Sequence, residues 1–162
     1  MALQTTQPSE KKSGSPSTGE AEITRLMEQY AEAVSNKDLE EIMSFYAPEV
    51  IAFDLMPPLQ ILGKDAYKKN WSNITQMGES NFSIRDLHVT AGEDVAFSHC
   101  LCHMTGQSNS GEKFDSWARQ TACYKKVNGQ WLIVHENYSV PVDMQADKPL
   151  WSLDPDQKTE AH

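Results

Sequence analysis

One aspartate, one histidine, one arginine and a short row of amide and hydroxyl groups are the residues of this chain best suited to moving a proton. Residues 131–140, WLIVHENYSV, align several of them. Side chains alternate along a strand. Trp131, Ile133, His135, Asn137 and Ser139 then share one face, and Leu132, Val134, Glu136, Tyr138 and Val140 the other. The first face runs from apolar to polar. A core has no use for three polar groups in a row, because each one buried unpaired costs roughly 1–3 kcal/mol. A ligand chamber does have a use for them.

The same alternation recruits neighbouring strands. Residues 112–127 place Trp117, Arg119, Thr121 and Cys123 together, and residues 95–105 do the same for Phe97, His99, Leu101 and His103. Both sets are expected on the face of His135, although a one-residue slip would reverse a strand. Asp54 ends the short run VIAFDL, 50–55. Desolvated in an apolar pocket, such a carboxyl rises in pKa and can take a proton α to a carbonyl. An arginine on the wall can hold a carboxylate or enolate with two parallel bonds. Two plainer roles stay open: Arg119 neutralising Asp54, Asp115 or Glu136, and Asp54 as a turn residue before LMPP. His99 and His103 lie ~13 Å apart along one strand at ~3.3 Å per residue, too far to share an ion. No metal and no cofactor are expected.

These side chains need elements to hold them. Residues 1–19 are rich in Ser, Thr, Pro, Gly and Lys and read as a disordered tail. From residue 20, Ile23, Leu26, Met27, Tyr30, Ala31 and Val34 repeat at helical spacing. Asp38 with Glu41 resembles a capping box. It opens a short helix with Leu39, Ile42, Met43 and Tyr46 on one face. The loop MPPLQILG follows the first strand, since adjacent prolines deny ladder donors. Residues 64–76 make a third helix, with Tyr67, Trp71 and Ile74 on its stripe. Four strands complete the domain at about 81–91, 95–106, 112–127 and 130–140, and Asn128-Gly129 is a strong hairpin signal between the last two. In residues 144–162, Leu150, Trp151 and Leu153 either dock or fray. The order α-α-β-α-β-β-β-β predicts an α+β fold, a curved antiparallel sheet enclosing a pocket with its helices.

Composition narrows the partners. The chain has 162 residues, with 23 Asp plus Glu against 14 Lys plus Arg, net −9. No basic stripe is present, which argues against nucleic acid and anionic membrane surfaces. No apolar run is long enough to span a bilayer, and the N-terminus lacks a secretory signal. Cys100, Cys102 and Cys123 fit no disulfide framework and read as buried thiols of a cytoplasmic protein.

The stretches YAEAVSNKDLEEIMSFYAPEVIAFD, GKDAYKKNW and FDSWARQTACYKKVNGQWLIVHENYSVP resemble the NTF2-like superfamily, in its SnoaL-like, ketosteroid-isomerase-like branch. The resemblance covers about residues 20–143. It implies a cone-shaped α+β fold and a homodimer through sheet faces. Laid on the ketosteroid isomerase pattern, the oxyanion-donating tyrosine falls on Tyr30 and the general base on Asp54; the protonated aspartic acid falls near Thr121, a weaker donor. SnoaL-like relatives often carry His-x-His where this chain has His135-Glu136-Asn137, leaving an acid/base role to His135 alone. Asp54, His135, Arg119 and Tyr30 are thus the expected catalytic set. Tyr46, Met56, Trp71, His99 and His103 are expected to line the ligand site, as are Trp117, Thr121, Asn137 and Ser139. The function this implies is small-molecule binding with isomerase or cyclase chemistry on a carbonyl compound. A non-catalytic ligand-binding or association module is the alternative.

Overall fold

The computed structural model describes residues 16–76 and 78–156. Of the expected tail, residues 1–15 lie outside that range, as do residues 157–162. Helix α1, Thr18–Asn36, starts two residues earlier than the hydrophobic period indicates. The cause is local: the Ser17 hydroxyl accepts from the Glu20 N–H at 3.2 Å, and the Glu20 carboxylate accepts from the Ser17 N–H at 2.8 Å. Ile23, Met27, Tyr30, Ala33 and Val34 form its buried stripe. Burying side chains of this kind contributes about 1.5–3 kcal/mol each. Lys37 closes the helix in the left-handed region, and Asp38 caps α2, Leu39–Ser44, by accepting from the Glu41 N–H.

Tyr46 does not end that helix. It opens strand β1, Tyr46–Phe53. Pro48 disfavours helical backbone at Ala47, and Tyr46 instead lies beside Ile133. A two-residue strand β2, Ile61–Leu62, folds back on β1, and α3, Lys64–Thr75, follows. The long strands are β3, Glu79–Ala91; β4, Val95–Gln107; β5, Lys113–Val127; and β6, Gln130–Ser139. Asn128 and Gly129 both take positive φ, 50° and 83°, as a tight hairpin between twisted strands requires. The curved sheet runs β2-β1-β6-β5-β4-β3 and stays open. It is mixed, not wholly antiparallel as expected, because β1 joins β6 in parallel after the crossing formed by α3 and the meander. The core lies between the helices and the concave face of the sheet.

A single irregularity decides which side chains reach that core. Cys123 pairs with His135 and Tyr124 with Ile133, so β5 advances one residue while β6 advances two. Val134 is the extra residue of a β-bulge. A bulge shifts the alternation by one. Trp131 and Ile133 are buried on the inner face, and beyond the bulge that face carries Glu136 and Tyr138. His135, Asn137 and Ser139 turn outward. Their partners Cys123, Thr121 and Arg119 share the outer face, and Gln120, Ala122 and Tyr124 line the inner one.

The C-terminal segment docks. It forms a small hairpin, β7 Val142–Asp143 with β8 Lys148–Pro149. The Trp117 N–H donates to the Trp151 carbonyl at 2.7 Å, and Arg85 grips the Asp156 carboxylate through two 2.6 Å bonds.

Candidate functional site

Four of the five tyrosines converge inside the cone, each delivered by a different element: Tyr30 by α1, Tyr46 by β1, Tyr67 by α3 and Tyr138 by β6. At their centre is Glu136, which exposes no surface. Its Oε1 accepts from the Tyr46 hydroxyl at 2.8 Å and from the Tyr67 hydroxyl. Its Oε2 accepts from Gln120 Nε2 at 3.1 Å. The Tyr30 hydroxyl lies 3.0 Å from that of Tyr46 and 3.1 Å from that of Tyr138, and Gln120 Nε2 donates to Tyr138 at 2.8 Å. Each phenol has one proton. With Tyr46 donating to Glu136, Tyr30 donates to Tyr46 and Tyr138 to Tyr30, and the ring closes through Gln120 with every member satisfied. The thiols of Cys100 and Cys102, at 3.3 and 3.8 Å, fix the Gln120 amide by donating to its oxygen.

Burial dominates the electrostatics. It pushes the Glu136 carboxyl up from 4.5 to about 7, against three hydrogen bonds that favour the ion. The nearby charge of Asp54 adds to the rise. Burial, and then the Glu136 charge, hold Tyr30, Tyr46 and Tyr67 well above the ordinary phenol range. A hydrogen bond with Cys100, together with burial, keeps the Cys102 thiol protonated. A thiol so held is a poor nucleophile.

The network borders a cavity of about 340 Å³. Leu55, Ile74, Phe82, Met104, Phe114, Trp117 and Ala118 supply apolar wall, Trp151 of the docked C-terminal segment adds to it, and Tyr138, Cys102, Ser80 and Ser116 supply polar atoms. Nearby, the buried Trp71 indole N–H has no hydrogen-bond partner among the described residues, and its ring is edge-on to those of Tyr30 and Tyr67.

The expected site residues divide. Asp54, Tyr30, Tyr46 and Trp71 fall on the inner side, and Trp117 borders the cavity. Asp54 Oδ2 meets the Tyr67 hydroxyl at 3.2 Å and accepts from Asn70 Nδ2 at 3.0 Å. The expectation that His135, Arg119, Thr121, Asn137 and Ser139 face the chamber is corrected: the Val134 bulge puts them on the outer face. His99 and His103 are there too, because β4 buries its other row, Ser98, Cys100 and Cys102. His135 Nδ1 lies 2.8 Å from the Ile51 carbonyl and its ring meets Phe53 edge-on. His103 stacks on Trp117 at 4.1 Å and pairs with Asp115 at 2.7 Å. Arg119 borders a second, 240 Å³ cleft beneath the C-terminal segment. Met56 is exposed in the loop after β1. Glu136, Tyr138, Gln120 and Tyr67 were not expected at the site. The available signal was that Leu132 and Val134 make the second row of β6 as apolar as the first.

The model of the SnoaL-like domain matches residues 23–143. The chain belongs to the SnoaL-like domain family. No curated protein matches it. Among solved structures, this SnoaL-like chain resembles an NTF2-like protein of unknown function from Pseudomonas putida KT2440, at 35% identity and TM-score 0.77, over 84% of this chain and 96% of that one. The association domain of C. elegans CaMKII shares the fold at 19% identity and TM-score 0.62, over 74% and 93%. A nuclear transport factor 2 (NTF2-like) superfamily protein from Salmonella enterica serovar Typhimurium LT2 does so at 18% and 0.68, over 77% and 92%. Trp151, on the docked segment, lies beyond the end of the family match at residue 143.

Proposed function

We propose that this SnoaL-like domain binds a small, mainly apolar molecule bearing one carbonyl or hydroxyl group, and performs proton-transfer chemistry on it of the isomerase or cyclase type. One observation carries the reading. A fully buried carboxyl, Glu136, is linked through Tyr46 and Tyr30 to Tyr138 on the wall of an apolar cavity. A cavity of about 340 Å³ lies at the small end of ligand sites. The carboxyl, poised near neutrality, can both take and give a proton. With Glu136 protonated the chain reverses, Glu136 donating to Tyr46, Tyr46 to Tyr30 and Tyr30 to Tyr138. Tyr138 thus keeps its own proton for the substrate oxygen, the role that the family resemblance gave to Tyr30. Asp54 stays at the site through Tyr67. His135 and Arg119 leave it for the outer face.

The experiment uses 1-tetralone and 2-naphthol as probes. Binding is read by the fluorescence of Trp117 and Trp151, and deuterium exchange at the ketone α-carbon by proton NMR. Binding of either probe, with exchange accelerated by the wild type and lost in Glu136→Gln, supports the reading. Absence of binding with both probes, and of exchange at the 1-tetralone α-carbon, overturns it.

A second reading concerns the outer face and is compatible with the first. Ile51, Phe53 and Phe97 leave 40–47% of their surface exposed there. An apolar sheet face of this kind suits pairing with a second copy of the chain. Sedimentation should give a dimer that Phe97→Glu dissociates; a monomeric wild type rejects it. The three free cysteines accord with a cytoplasmic setting.

A further inference from the structure

We propose that Tyr67 and Asp54 are the route by which the sealed Glu136 carboxyl exchanges its proton with solvent. This rests on the reading of Glu136 as the proton-transfer group of the chamber, and names the residues that reload it.

Glu136 exposes no surface, and among the described residues it forms no ion pair. Two hydroxyl branches leave its Oε1. One passes through three phenols, Tyr46, Tyr30 and Tyr138, and ends at the chamber, where a ligand would occupy it. The other passes through one phenol, Tyr67, and ends at Asp54. Asp54 is half-buried at the end of β1, so it reaches water as Glu136 does not. Its Oδ1 is held by the Leu55 N–H at 2.6 Å, and its Oδ2 is turned to Tyr67 and Asn70. The remaining titratable neighbours are Cys102 on β4 and Tyr124 on β5. Neither is hydrogen-bonded to Glu136: Cys102 donates to Gln120, and Tyr124 bonds Ser98 and Met27.

The Tyr67 hydroxyl touches two carboxyl groups and has one proton, so it can serve only one at a time. When Asp54 carries the extra proton, its Oδ2–H bond breaks toward the Tyr67 oxygen as the Tyr67 O–H bond breaks toward Glu136 Oε1. The phenol has formed one bond and lost one, and one proton has moved from Asp54 to Glu136. A hydronium ion or buffer acid in the solvent then gives a proton to the Asp54 carboxylate and leaves as its conjugate base. The reverse sequence empties Glu136. Every phenol in a path must pass its proton on in step with its neighbours, so a path of one is faster than a path of three.

The test is a relaxation-dispersion measurement on glutamate labelled with ¹³C at the side-chain carboxyl, near the midpoint of the Glu136 titration, in the ligand-free protein. Tyr67→Phe and Asp54→Asn should each slow exchange between the two protonation states at least tenfold. Tyr46→Phe, which removes a bond to the same oxygen, should move the midpoint without slowing exchange. Equal slowing by all three variants, or no slowing by Tyr67→Phe and Asp54→Asn, overturns the route. Failure of the ligand reading alone, with no probe bound and no α-carbon exchange, would leave these rates as stated.

Discussion

Glu136 and His135 are adjacent in the chain and live in different media. Glu136 sits in a closed hydrogen-bonded ring, without surface, its carboxyl lifted to about 7. His135 lies on the outer face beside Phe53, with one contact to a backbone carbonyl. The peptide unit between them separates a dry polar network from a solvated sheet face. The comparison teaches that polarity in a sequence does not say which side is functional. Packing says it, and here packing turns on one extra residue, Val134.

Four measurements put that contrast to the test. The largest effect is expected from Tyr30→Ala. It removes a fully buried ring with edge-on contacts to Phe45, Tyr46, Trp71 and Phe82, and should cost about 4 kcal/mol in denaturant unfolding. Phe97→Ala, on the outer face, should cost under about 1 kcal/mol in the monomer. Near-equal losses would erase the distinction.

The next effect is in pH. Because the folded state raises the Glu136 pKa from 4.5 to about 7, it binds more protons than the unfolded chain between those values. Stability therefore falls as pH rises from about 4.5 to about 7, by roughly 3 kcal/mol from this group, and is level above. Difference curves between wild type and Glu136→Gln should isolate that slope. A difference that is flat across the interval contradicts the burial of an ionisable carboxyl.

Tyr138→Phe should weaken probe binding about tenfold, near 1.4 kcal/mol, by removing the polar contact at the cavity wall. Arg119→Ala, on the outer face, should leave probe affinity unchanged. A loss with Arg119→Ala and none with Tyr138→Phe would move the site across the sheet. The smallest effect is expected from His135→Ala: about 0.5–1 kcal/mol of stability for its one hydrogen bond, with no change in probe affinity.

The fold was legible because its signals are periodic and local. The stripe from Ile23 to Val34, the Asp38 cap, the Asn128-Gly129 turn and the long strands follow from spacing and turn chemistry. Tyr46 was misplaced in a helix because Pro48 and the pairing with Ile133 outweigh its place on a helical stripe. The site was legible in part. Asp54 and Tyr30 fall on the inner side, where the family pattern set them. The outer row Arg119, Thr121 and Cys123 was grouped correctly with His135 yet assigned to the wrong face. Strict alternation extrapolated from Trp131 and Ile133 fails at a bulge, and no residue type marks Val134 as one.

The most direct test of the account is the carboxyl titration of Glu136, followed by ¹³C NMR with Glu136→Gln to assign the resonance. A midpoint near 7 is predicted, set by burial among Tyr46, Tyr67 and Gln120. A midpoint in the ordinary glutamate range, near 4.5, would mean that this carboxyl is solvated and that the inner chamber is not built around it.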